Sequence, residues 1–321
     1  MNKRILFFAI FSALCGAGAA RAGIFPPGAF SDDARGTTAA SFLKSPASAR
    51  FAALGSGGGA LRAPDAFFSD PAGTAYLPKG SSALLLGYES LLEDSGRTAV
   101  AGLKSVGGGV LGIGALYRYE SGLKKYDDLG GAGGGFEAYD AALIGSCGRR
   151  FGWGDAGLAV KYIRSKIYDR SAGTTALDLG VLIKDRKNGV AEFAFFARNF
   201  GPPLKLGSVA APLPFELGAA MSLRYSKSFM LFLDGRAPVD HAPYLIMAGE
   251  YGIPFAGVSE LFLRCGANFK NYDDLGFMGA VSGGFGLKLG DAGLDYAYVP
   301  YGDLGVTHRF TLVWSFPPTT P

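Results

Sequence analysis

An antiparallel transmembrane β-barrel of fourteen strands is the fold this sequence predicts, and three observations predict it. The chain is 49% hydrophobic with only 18% charged residues and a mean hydropathy of +0.21, yet no run of about 18 apolar residues follows the first two dozen, which excludes a helical span. From Ser81 onward apolar and polar residues alternate with period 2 in segment after segment, and period 2 places successive side chains on opposite faces of a strand. The connections between those segments alternate between short and long, as they do in a bacterial barrel with short turns on one side of the membrane and longer loops on the other.

The closing segment, Leu304 to Phe316, shows the pattern best. Phe310, Leu312, Trp314 and Phe316 share one face, and Arg309, Thr311, Val313 and Ser315 the other. The first face suits lipid, and Arg309 is expected to point into the lumen. This strand is expected to pair with residues 291–299 on one side and with the first strand, near Leu84 and Leu86, on the other.

The first 22 residues read as a secretory signal. Lys3 and Arg4 supply a positive start, Ile5 to Cys15 an apolar stretch, and Ala20-Arg21-Ala22 a cleavage site, so the mature chain is expected to begin at Gly23. A lipoprotein built on Cys15 fits less well, because Leu14 stands where a small residue belongs. Removing the signal leaves 28 basic against 27 acidic residues, a balance that argues against a nucleic-acid partner. Cys147 and Cys265 remain, each in a separate expected strand, and are read as isolated cysteines, not a disulfide.

Residues 23–80 mix small residues, short apolar clusters and turn formers and do not alternate. Ser48 to Leu54 is Ala-rich and is expected to form a short helix stopped at Gly55. The fourteen expected strands are 81–89, 97–105, 109–119, 137–148, 155–166, 174–183, 190–198, 214–225, 228–236, 243–252, 257–268, 275–288, 291–299 and 304–316. Connections after even strands are short (Val106-Gly107-Gly108, Leu289-Gly290), and the longest, 120–136 and 199–213, follow odd strands. Residues 317–321 form a tail.

Tyr88, Tyr117, Tyr119, Trp153, Tyr225, Tyr298 and Trp314 fall near strand ends, where aromatic girdles meet the membrane interfaces. Glycines such as Gly112, Gly114, Gly284 and Gly286 repeat on one face of a strand, allowing tight curvature or close approach of another chain segment.

Motifs of enzyme and cofactor chemistry are weak. Gly55-Ser56-Gly57-Gly58-Gly59-Ala60 matches a dinucleotide fingerprint in spacing but lacks the strand before it and the helix after it. Ala280-Val281-Ser282-Gly283-Gly284 falls short of a nucleophile elbow, and only His241 and His308 are available as bases once the chain is exported. No catalytic residue, metal site or cofactor is expected. Tyr126-Asp127-Asp128-Leu129-Gly130 recurs as Tyr272-Asp273-Asp274-Leu275-Gly276. Such paired carboxylates can ligate Ca²⁺, but turn chemistry, with Asp bonding its own backbone, is the reading adopted. Arg118, Lys161, Asp178, Glu216, Arg224, Glu260, Arg264 and Arg309 lie on expected lumen faces. They need partners, in one another or in the N-terminal region; the alternative is that they guide a polar solute.

Two segments carry a resemblance. Gly36-Thr37, Phe42-Leu43-Lys44, Ser48 to Gly55 including Arg50, Asp65-Ala66 and Asp70-Pro71-Ala72-Gly73 resemble the opening of the PorV/PorQ family of outer-membrane proteins. Leu294 to Tyr298 and Gly302 to His308 resemble its end. The family is similar to the FadL-type fatty-acid transporters. The resemblance implies a fourteen-stranded barrel, residues 81–316, whose N-terminal segment 23–80 folds inside as a hatch bearing Arg50, Asp65, Asp70 and Pro71. Asp70 departs from the Asn-Pro-Ala usual there, and the tail after Phe316 departs from a terminal aromatic residue.

For function the resemblance implies passage of a small hydrophobic molecule across the outer membrane, or service in type 9 secretion with exported proteins as partners. A structural barrel with a closed plug is the third reading. In each the partner common to all is outer-membrane lipid.

Overall fold

The computed structural model describes residues 23–91, 95–127, 129–184, 189–255 and 259–318. The expected signal, residues 1–22, and the last three residues of the tail lie outside them.

Fourteen strands close into one antiparallel barrel. Its first half is β1 (Ser82–Ser90), β2 (Ser95–Val106), β3 (Gly109–Tyr126), β4 (Ala132–Phe151), β5 (Gly154–Ile167), β6 (Arg170–Lys184) and β7 (Ala191–Phe200). A two-stranded hairpin, β8 (Leu204–Leu206) and β9 (Val209–Ala211), stands outside the ring. The second half is β10 (Glu216–Arg224), β11 (Phe229–Pro238), β12 (Tyr244–Phe255), β13 (Ser259–Asn268), β14 (Val281–Leu289), β15 (Ala292–Pro300) and β16 (Val306–Phe316). No helix among the described residues is long and apolar enough to cross a membrane, and the strands do the crossing.

Closure is made by the strand that the sequence singled out. Leu84 faces Trp314 and Leu86 faces Leu312 across β1 and β16, and β15 pairs with the other edge of β16. Closing the ring removes the unpaired edges that an open sheet would expose. Alternation sorts the side chains. Phe310, Leu312, Trp314 and Phe316 are exposed on the outer face, while Thr307, Arg309 and Thr311 are buried inside. Cys147 and Cys265 are free thiols on exposed positions of β4 and β13.

The longest connections lie at one end of the barrel, and most of the two-residue turns lie at the other. Gly107 and Gly108 join β2 to β3 with φ of 59° and 83°, the pair of positive values that a two-residue hairpin matched to strand twist requires. Aromatics gather at both rims. Phe151 and Trp153 stack at 5.6 Å at the short-turn end, and Tyr117 lies 5.7 Å from Tyr139 toward the other.

Several expected boundaries need correction. The expected loop 120–136 is mostly ribbon: β3 runs to Tyr126, β4 starts at Ala132, and Asp127 closes the turn by accepting from Leu129 N–H (3.0 Å) and Gly131 N–H (2.6 Å). A hairpin clear of the membrane has no apolar face to keep, so its alternation fades although its pairing continues. The connection between β5 and β6 is only 168–169, and 199–213 contains the β8–β9 hairpin. Residues 275–280, expected as the start of a strand, belong to a short helix, α2 (Tyr272–Ala280), which breaks at Gly276.

Candidate functional site

Residues 23–81 occupy the lumen and pack against the inward face of the wall. The segment begins at the long-connection end, where Phe30 N–H donates to Val239 O and Arg35 pairs with Asp274 at 2.7 Å. It finishes at the opposite end, entering β1 beside the last strand. The start of the described chain and its end at Pro318 therefore lie at opposite ends of the barrel. Between them run the helix α1 (Ala49–Ala53) and 3₁₀ turns at Ser41–Leu43, Pro64–Phe68 and Pro71–Tyr76.

Glycines on the strands let this segment touch the wall. A methyl group on Gly157 or Gly180 would collide with the backbone at Pro71–Ala72 or with the Asp70 carboxylate, and one on Gly114 or Gly284 would press Phe67 or Ala53. Pro71 also sits at the first position of its 3₁₀ turn, where its missing N–H costs nothing.

Charges then fasten it. Glu250 on β12 takes a bidentate bond from Arg50 (2.9 and 2.7 Å) and a third from Arg264 (2.6 Å), whose other arm reaches Asp295 at 2.5 Å. Fork-to-carboxylate geometry of this kind is among the stronger polar contacts. Burial alone would lower the Arg50 pKa; the charges of Glu250, Asp65 and Asp295 together with the Glu250 hydrogen bonds outweigh it and leave it above its ordinary value. Arg97 and Arg309 share Glu89 (2.6 and 2.5 Å), and both donate to the carbonyl of Pro46. Asp234 accepts from Gly58 N–H (3.2 Å) and Gly59 N–H (2.9 Å), so the glycine run with the spacing of a dinucleotide fingerprint cradles a carboxylate of the chain's own wall. Ser282, the near-elbow serine, donates to the carbonyl of Ala52 at 2.9 Å.

The predicted charges divide by depth. Lys161, Asp178, Glu216, Arg264 and Arg309 sit in the lumen with ion-pair partners: Lys161 meets Asp178 at 2.6 Å, and Glu216 meets Arg236 at 3.1 Å and Arg198. Arg118 lies nearer the rim with Glu120 and Asp140 (3.3 and 3.5 Å). Arg224 is exposed at its strand end, and Glu260 is 3.8 Å from Lys288 near the short turns. Sequence reasoning passed over Glu89, Arg97, Asp234, Arg236 and Glu250. The signal for them was cross-strand placement, as with Glu250 directly opposite Arg264, and the i,i+2 spacing of Asp234 and Arg236 on one strand face.

In the N-terminal segment, Ser48 donates to Asp65 at 2.6 Å. Burial raises the Asp65 pKa, against the pull of Arg50. Asp70 accepts from Ala72 N–H at 2.9 Å, and its other oxygen has no hydrogen-bond partner. Burial pushes its carboxyl up to about 7, although the Ala72 bond works in the opposite direction.

Two cavities flank the packed middle. One of about 270 Å³ opens at the long-connection end, and one of about 500 Å³ at the short-turn end. Of two smaller spaces near Lys44 and Arg198, one of about 30 Å³ lies between the two cavities and one of about 20 Å³ beside the first.

A closed fourteen-stranded transmembrane barrel with its lumen filled by its own N-terminal segment defines the class of protein. Among solved structures it is similar to the toluene transporter TbuX of Ralstonia pickettii (TM-score 0.54, 12% identity, covering 84% of this chain and 97% of that one). It is similar also to the Pseudomonas putida toluene transporter TodX (0.56, 9%, 84% and 97%) and to a Pseudomonas aeruginosa FadL homologue (0.56, 10%, 85% and 98%). At these identities the likeness is one of fold. No family model matches the chain, and no curated protein matches it in sequence.

Proposed function

We propose that this protein passes small hydrophobic molecules across the outer membrane, with the N-terminal segment as its hatch. The observation that carries the proposal is an apolar seam between segment and wall. It runs from Ala40 and Leu213 at the long-connection end, past Phe42, Leu116 and Ile163, to Leu103 and Val110 at the short-turn end as one continuous buried cluster. An apolar molecule moving along that seam exchanges one apolar contact for another. The fold shared with the toluene transporters TbuX and TodX supports the same reading. A role with exported proteins rests on the sequence resemblance alone.

The test is uptake of labelled toluene by cells that express the protein and lack other aromatic-hydrocarbon channels. Expression is expected to raise the initial rate above that of empty-vector cells, and more so than for benzoate, which carries a charge. An initial rate equal to that of the empty vector rejects the proposal.

A further inference from the structure

The cavity at the long-connection end differs in chemistry from the seam. It is lined by Lys44, Lys270 and Arg309 together with serine and tyrosine hydroxyls and the amide of Asn268, and no carboxylate lines it. Lys44 and Arg309 are already committed, to Asp240 and to Glu89. Lys270 is not: among the described residues no carboxylate lies within ion-pair distance, and its ammonium rests 5.9 Å from the centre of the Tyr244 ring. Burial, and next the charge of Lys44, hold the Lys270 pKa below its ordinary value. Asp240, bonded to Lys44, offsets part of that repulsion, and a further anion in the cavity offsets more.

We propose that this cavity binds a small hydrophilic oxyanion, a phosphate or a short dicarboxylate. Size favours a small ligand, because about 270 Å³ falls just under the ~300–1,000 Å³ typical of pockets for drug-sized molecules. The space that adjoins it toward the opposite cavity holds about 30 Å³, room for about one or two waters, so the cavity suits binding, not passage. A bound anion would join the N-terminal segment, through Lys44 and Ser45, to the outer connections, through Lys270 and Tyr301. It would thus bolt the segment at the mouth. This proposal does not depend on hydrocarbon passage.

The test is calorimetric titration of the full chain in detergent micelles at low ionic strength, with inorganic phosphate in one arm and succinate in the other. Saturable binding is expected for at least one. Lys270→Met is expected to weaken it by about 10-fold or more, the loss that corresponds to one charged hydrogen bond. Lys270→Arg, which keeps the charge, is expected to retain it, and so is Lys104→Met on an exposed strand position near the opposite rim. Electrophoretic mobility of the unheated protein reports whether each variant is folded. Absence of saturable heat with both anions, or equal affinity in folded Lys270→Met, overturns the proposal.

Discussion

The two sides of the lumen hold the same segment by opposite means. Along β1–β6 the contact is mainly apolar, with Leu85, Ile144 and Ile163 almost fully buried in one cluster with Phe42, Phe67 and Leu77, interrupted by the pairs of Glu89 with Arg97, Lys161 with Asp178 and Asp155 with Arg62. Along β10–β16 the ionic contacts are denser, with Asp234, Arg236, Glu250, Arg264 and Arg309 each buried and each paired. The difference teaches where movement is cheap. Apolar packing is non-directional and can slide, whereas a buried ion pair is strongly destabilised once one partner leaves. The ionic side therefore acts as the anchor and the apolar side as the seam that can open.

The strongest way to break this comparison is to strip the anchor of its shared carboxylate. Glu250→Ala leaves Arg50 and Arg264 without the anion they share, and loss of one partner of a buried pair costs ~3–5 kcal/mol. The folded-to-unfolded mobility shift on heating in detergent is expected to move to markedly lower temperature. A midpoint within a degree of the parent would show that the ionic side is no anchor.

Much of this was legible in the sequence, and the reasons are physical. Strand number, closure of β1 on β16 and the lipid face of Phe310 to Phe316 follow from a period of 2 that lipid on one side enforces. What lay inside was harder to read. Arg309 was placed on the correct face, but its partner Glu89 is more than 200 residues away in sequence, and only closure of the ring brings the two together. The reason for Gly157 and Gly180 is the approach of Pro71 and Asp70, a contact that no local pattern encodes. Where neither lipid nor lumen imposes a face, as in residues 120–126 of β3, the pattern vanished and a strand read as a loop.

A second, intermediate effect comes from a carboxyl that the anchor logic does not cover. Asp70 lies against Gly180 with one oxygen unbonded. Burial raises its carboxyl from 3.8 to about 7 in the folded chain. A raised acid favours folding fully below its unfolded pKa and loses that contribution as pH rises through the folded value. The parent is therefore expected to lose stability between pH 4 and 7, by at most about 1.4 kcal/mol per pH unit. Asp70→Asn, an isostere without the charge, is expected to flatten that stretch and to exceed the parent above pH 7. Thermal midpoints of both proteins across this range supply the check, and parallel profiles would mean that Asp70 is ionised throughout.

The smallest expected effect probes the seam directly. Ile163 is fully buried on β5 within the apolar cluster. Ile163→Val removes one methylene, for which ~0.5–1.5 kcal/mol is typical, so the barrel should stay folded with a slightly lower midpoint. The two sides differ in what this loosening does. If hydrocarbon moves along the seam, a small void beside Phe42 and Leu116 lowers the barrier, and toluene uptake should rise while the midpoint falls. Leu61→Val makes a comparable void on the other side, in the cluster of Phe51, Leu54 and Phe232 beside the ionic anchor, and should lower the midpoint without raising uptake. Equal changes in uptake from the two variants would place the path elsewhere, because the void would then act through overall loosening of the segment and not through the wall it lines.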